Sequence, residues 1–117
     1  ALYLAHVFRN PIYDIPNIRH EGYGVYTNKI FTTAKRGHGL QQMVFAVESQ
    51  LDMICDRLGI DKLEMRLKNL RKAGNILPNG DKLRSYALPE CLKAAAEKVD
   101  WKTKSKRRSS FKGLGIG

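Results

Sequence analysis

The clearest periodicity in the chain runs from about residue 39 to residue 58. Leu40, Met43, Val44, Val47, Leu51, Ile54, Cys55 and Leu58 recur at intervals of three and four, the spacing of one buried helical face. Gly59 stands where a left-handed residue would close that helix. Asp61, with Glu64 three residues on, predicts an N-cap and a second helix to about Leu70. Residues 75–81, flanked by Gly74 and containing Pro78 and Gly80, predict a loop. A third helix is expected from about Pro89 to Val99, with Pro89 in its first turn and Leu92, Ala95, Ala96 and Val99 as its apolar face. Upstream, Ile18, Val25 and Tyr26 among turn-formers predict a strand over 18–27, followed by an exposed loop over 28–38. Residues 1–12 alternate loosely and fit strand or helix, and Gly113 to Gly117 read as the start of a strand. The expected class is therefore α+β: strand, loop and long helix, then two shorter helices.

At 117 residues the chain suffices for one domain with a modest core. It opens on Ala1 and stops inside an expected strand, so it reads as a piece of a longer polypeptide, residues 1–117 forming part of one domain. The net charge of +10 favours anionic partners: nucleic acid, an acidic protein or a phosphate-bearing cofactor. Much of the excess sits late, in Lys102, Lys104, Lys106, Arg107, Arg108 and Lys112. Trp101 and Phe111 lie only at the ends of that run, so it lacks the interleaved aromatics that stack on bases. A solvated linker helix is the competing reading. No apolar run approaches the roughly 20 residues that span a bilayer. The two cysteines, Cys55 and Cys91, fit reduced thiols packed on helices, and a cytoplasmic setting is expected. His6 and His20 have no Cys, Asp or Glu at metal-ligand spacing.

Candidate chemistry concentrates in Arg36-Gly37-His38-Gly39, just ahead of the long helix. Glycines on either side of a cation and an imidazole let backbone N–H groups turn toward a ligand. A helix beginning near Gly39 adds free N–H groups and the positive end of its dipole. Together these features favour an anion, although a tight turn alone would also use glycine.

The blocks around this loop carry a resemblance. Tyr13-Asp14-Ile15-Pro16-Asn17-Ile18-Arg19, Val25-Tyr26-Thr27-Asn28 and Ala34-Lys35-Arg36-Gly37-His38-Gly39-Leu40-Gln41-Gln42 occur in one order. Gly59-Ile60-Asp61-Lys62-Leu63-Glu64-Met65-Arg66-Leu67-Lys68-Asn69 follows them. The set closely resembles the molybdenum-cofactor subunit of the xanthine dehydrogenase and aldehyde oxidase family. Its patterns there are Y-x-I-P-N-x-R, V-x-T-N, F-R-G-F-G-x-P-Q and G-x-D-P-x-E-x-R-x-K-N.

The resemblance implies part of a larger molybdopterin-binding domain in a hydroxylase that oxidises aldehydes or nitrogen heterocycles with water as oxygen source. It implies a molybdenum–molybdopterin cofactor, with the cytosine dinucleotide form as one option. Iron–sulfur clusters and FAD would lie on partner domains or subunits of an oligomer, and the rest of the molybdenum subunit would lie around this piece. Residue by residue, it carries cofactor contact to Arg36, to the backbone of Lys35 and Gly37, and to the Gln42 amide, and substrate contact to His38. It implies no direct metal ligand here and a general base outside these residues. Lys35 and His38 stand where relatives have Phe, and Gln41 where they have Pro, so either a more polar substrate than the family's usual heteroarenes or a His38 that does not touch substrate is expected. The competing readings are a non-catalytic remnant and a basic nucleic-acid-binding module.

Overall fold

The computed structural model describes residues 12–19, 21–31, 36–77, 79–105 and 112–115. Among the described residues four helices follow one another: α1 (Leu40–Leu58), α2 (Lys62–Asn69), α3 (Leu88–Lys98) and α4 (Trp101–Lys104). Among the described residues, each helix packs against its neighbour in sequence.

Local chemistry explains the boundaries. Gly59 adopts φ 67 and ψ 26, and its N–H returns to the Cys55 carbonyl. A non-glycine residue would meet its carbonyl sterically in that conformation, so glycine closes α1 at little cost. Asp61 then caps α2, its Oδ1 accepting from Leu63 N (2.9 Å) and Glu64 N (3.0 Å). Its other oxygen accepts from Trp101 Nε1 at 2.9 Å. One carboxylate thus starts α2 and anchors α4, whose Trp101 is buried.

Residues 12–15 run antiparallel to the end of α2. Tyr13 and Leu70 form an isolated bridge, Asp14 N donates to Asn69 O (2.9 Å), and Arg71 N donates to Ile12 O (3.1 Å). Past α2, a small hairpin brings Ile76 opposite Lys82, with Leu83 N on Asn75 O (2.9 Å) and a turn at Gly80 (φ 91). The loop expected at 75–81 is the tip of this hairpin.

The strand expected over 18–27 does not form. Among the described residues there is no strand, only the two isolated bridges. Tyr23, Val25, Tyr26, Ile30 and Phe31 stand almost wholly exposed. A strand gains its stability from cross-strand pairs and a covered face, and here neither is present. Residues 112–115 likewise carry no regular structure, while Ile116, Gly117 and residues 1–11 lie outside the described residues.

The core is thin for the same reason. Of the apolar face expected on α1, Cys55 alone is fully buried, Ile54 and Leu58 are exposed, and the others are half-covered. On α3 only Ala96 is buried, and Cys91 is exposed rather than packed. Among the described residues the helices pack only on their neighbours in sequence, where a globular fold would supply a second layer.

A candidate cofactor-binding loop

Four successive residues before α1 adopt positive φ: Arg36 (48), Gly37 (96), His38 (50) and Gly39 (97). For glycine this is ordinary, but for arginine and histidine it costs of the order of 1 kcal/mol each. Backbone held in such conformations concentrates at ligand sites, so the outliers themselves point to function. The turn is closed by Leu40 N donating to Gly37 O at 2.8 Å. Arg36, Gly37 and His38 are exposed, whereas Gly39 is buried where the chain enters the helix. Space does not exclude a side chain at Gly37, since a Cβ there would lie 3.5 Å from Gln41 Cγ, an ordinary contact. Its φ imposes glycine instead.

The helix start is left open on one side. No side chain caps α1, and its first turn holds no acidic residue. With the Leu40 N–H already on Gly37 O, the Gln41 and Gln42 N–H groups and the dipole add to the Arg36 charge, and this donor set fits an anionic group. Gln42, in the first turn, is exposed on the same end of the helix. Arg36, Gly37, His38 and Gln42 all lie in the loop and first turn at this end of α1. Lys35 lies outside the described residues, as do His6, His20 and the basic residues 106–108.

Behind the loop, α1 is fixed by a charge cluster that periodicity did not reveal. Arg66 on α2 is only 2% exposed. Its Nη2 lies 2.7 Å from Glu48 Oε2 and 2.9 Å from Asp52 Oδ1. Arg66 Nε donates to Glu48 Oε2 at 2.9 Å, and Tyr13 Oη donates to Glu48 Oε1 at 2.8 Å. Lys62 extends the cluster to Asp52 (3.4 Å) and Asp56 (3.1 Å). Glu48, which as a helix-flank carboxylate would ordinarily be solvated, instead joins the Tyr13 segment, α1 and α2. The signal was present in the two blocks that contain Tyr13 and Arg66, but nothing in their spacing says that they meet.

Protonation follows the geometry. Burial, and then the bond to Glu48, pushes the Tyr13 phenol far above its usual value of 10.0. Burial also raises the Cys55 thiol, against the opposing charge of Arg66, so this cysteine is a poor nucleophile at neutral pH. For Lys62 and Arg66, burial works downward, but their carboxylate partners outweigh it and both are raised.

Ile15, Met43, Val44 and Val47 line an apolar cleft of about 300 Å³ that reaches Tyr13 and Glu48. Arg36, His38 and Gln42 do not border it. Among the described residues, no three of His, Cys, Asp and Glu are arranged to hold a metal ion. No described helix is long and apolar enough to cross a membrane.

Residues 2–70 match the family described as "Molybdopterin cofactor-binding domain". The chain belongs to this family. The matched segment contains the left-handed loop, α1 and the Tyr13–Glu48–Arg66 cluster. This molybdopterin-binding chain is 38% identical over 111 residues to an aldehyde oxidoreductase of Megalodesulfovibrio gigas, covering 89% of the chain and 12% of that protein. It is 44% identical over 85 residues to a xanthine dehydrogenase molybdenum-binding subunit of Escherichia coli O157:H7, covering 72% of the chain and 11% of that protein. It is 36% identical over 88 residues to a nicotinate dehydrogenase large molybdopterin subunit of Eubacterium barkeri, covering 74% and 21%. The chain thus spans between about a tenth and a fifth of the length of these curated relatives.

Proposed function

We propose that the chain forms one part of the cofactor cradle, and one part of the substrate wall, of a molybdenum hydroxylase. Such an enzyme oxidises an aldehyde or a nitrogen heterocycle with water as oxygen source. The observation that carries this reading is the run of four positive-φ residues, Arg36 to Gly39, opening onto an uncapped helix. Arg36 would fork two charged hydrogen bonds to an anionic group of the cofactor. The N–H groups of Lys35 and Gly37 and the Gln42 amide would add neutral donors. His38 would face substrate, offering a flat ring that both donates and accepts. When bound, the molybdenum–molybdopterin group supplies the redox chemistry, while these residues hold and orient it.

The finer assignments belong to the same reading. The cofactor carries its cytosine dinucleotide in one version. Electrons leave to iron–sulfur clusters and FAD on partner domains or subunits of a cytoplasmic oligomer. Residues 1–117 form one part of the molybdopterin domain, and the exposed segment 21–31 becomes a strand by pairing with the rest of the subunit. That pairing would make the whole domain α+β.

The test is Arg36→Ala in the whole subunit, with molybdenum and pterin content measured beside aldehyde and heterocycle oxidation. Loss of a charge-assisted fork costs about 1.5–3 kcal/mol, so cofactor affinity should fall roughly 10- to 100-fold. Full loading and unchanged turnover in the variant would remove Arg36 from the site.

A further inference from the structure

Among the described residues two arginines are buried, and their surroundings differ. Arg66 donates from Nε to Glu48 Oε2, and its Nη2, although not in hydrogen-bond geometry, lies within 2.9 Å of two carboxylates, Glu48 and Asp52. Arg71, 3% exposed, uses Nη1 to donate to the Ile76 carbonyl at 3.3 Å, with Asp14 Oδ1 a loose 3.7 Å away. Arg71 Nε is buried and makes no hydrogen bond among the described residues. Nε belongs to the side of a guanidinium that forks two parallel bonds to a planar oxyanion. Arg71 borders an open, mainly polar niche of about 370 Å³, walled by Asp14, Pro16, Ile18, Ile76 and Leu77.

We infer that the Arg71 niche, between the Ile12–Ile15 segment and the 74–83 hairpin, is a receptor for a carboxylate. Buried charged donors are conventionally satisfied, and an orphaned one marks a missing partner. Among the described residues the one ion pair of Arg71 is with Asp14, and it does not complete the fork. At 3.7 Å from Nη1, with its side chain 54% exposed, it balances charge without occupying the fork. Asp14 is a placeholder that an incoming carboxylate displaces or shares. The niche excludes an apolar occupant on chemical grounds, since covering Arg71 with hydrocarbon would leave Nε unpaired in a still drier site. A planar carboxylate matches the fork, whether it comes from a small carboxylic acid or from an Asp or Glu side chain elsewhere in the polypeptide. This site is independent of the cofactor loop, and its test does not depend on molybdenum loading.

The experiment uses the whole subunit and has two arms. In the first, acetate replaces chloride at fixed ionic strength, and hydrogen exchange is followed in peptides covering 69–77. The parent, Arg71→Lys, Arg71→Gln and Asp14→Asn are compared. In the second, a side-chain-resolved structure of the parent is inspected at Arg71 Nε. For a small carboxylate, saturating acetate slows exchange at least roughly threefold in the parent. The effect is larger in Asp14→Asn and lost in both Arg71 variants; Arg71→Lys keeps the charge without the fork. For a protein carboxylate, acetate has no effect in the parent, and an Asp or Glu oxygen lies within hydrogen-bond distance of Nε. The inference is overturned by an acetate effect that persists in the Arg71 variants. It is equally overturned when acetate has no effect and no carboxylate stands on Nε.

Discussion

Glu48→Ala is the substitution that most directly tests how α1 is held. In the parent, Glu48 accepts from Arg66 Nε at 2.9 Å and from Tyr13 Oη at 2.8 Å, and its side chain is 14% exposed. Removing it leaves a guanidinium in a nearly dry site with Asp52 as its remaining carboxylate, 2.9 Å from Nη2. It also takes the Glu48 acceptor away from Tyr13 Oη. Breaking a buried ion pair from one side costs about 3–5 kcal/mol, because the surviving charge keeps its desolvation penalty. A polar group deprived of its partner adds about 1–3 kcal/mol. Asp52 offsets part of this, so the expected cost is about 3 kcal/mol, near the bottom of the pair range. Hydrogen exchange of peptides covering 40–70 in the whole subunit reads this locally, where a global melting point would mix several domains. The opening equilibrium should rise roughly 100-fold. A double variant, Glu48→Ala with Arg66→Met, removes the stranded charge and should exchange more slowly than Glu48→Ala alone. An opening equilibrium changed by less than about threefold, or a double variant worse than the sum of its parts, would refute the claim that the cluster fixes α1 to α2.

Two further outcomes follow from groups near that cluster. Tyr13 and Lys62 both have raised values in the folded chain, so their stabilisation is complete below their unfolded values and fades as pH climbs through the folded ones. Protection of 40–70 should therefore fall above about pH 10, with a limiting slope of about 1.4 kcal/mol per unit from the phenol alone. In Tyr13→Phe that alkaline slope should become shallower, and exchange against pH measures it. Asp61→Ala removes the cap of α2 (about 1 kcal/mol) and the acceptor of Trp101 Nε1 (about 1 kcal/mol) together. Its peptides from 61–70 and 96–105 should lose protection in parallel, whereas Asp61→Ser, which keeps a cap, should spare the first set.

The helices were legible because their signals are local. Spacing of three and four along 40–58, Gly59 at the turn, and Asp61 with Glu64 each act within a few residues, and each reappears where expected. The left-handed loop was legible as glycines flanking Arg36 and His38, although not that those two residues themselves take positive φ. The strand expected at 18–27 is not seen because β-formers among turn residues report a preference, not whether a second strand is present to pair with. Glu48 was overlooked for the opposite reason. Its partners lie 18 and 35 residues away in sequence, and periodicity has no term for a contact across that distance. Cys91 sits beside Leu92 on α3, but a helix packed on one side covers a narrower stripe than its composition suggests.

The Ile12 carbonyl sets a timetable for synthesis. It accepts from the Arg71 backbone and, at 2.9 Å, from the Tyr86 hydroxyl, a residue 74 positions later. At ribosomal speeds of roughly 5–20 residues per second, Tyr86 is polymerised about 4–15 s after Ile12. Until then the 12–15 segment is held by the Tyr13–Leu70 bridge, the Arg71 backbone and Glu48, without the Tyr86 tie. The helices can form as they emerge, but the Ile12 carbonyl gains its second donor only after α2 and the hairpin are complete. A nascent chain stalled between residues 71 and 86 should therefore protect the 12–15 segment from proteases less well than one stalled beyond residue 86 and clear of the exit tunnel.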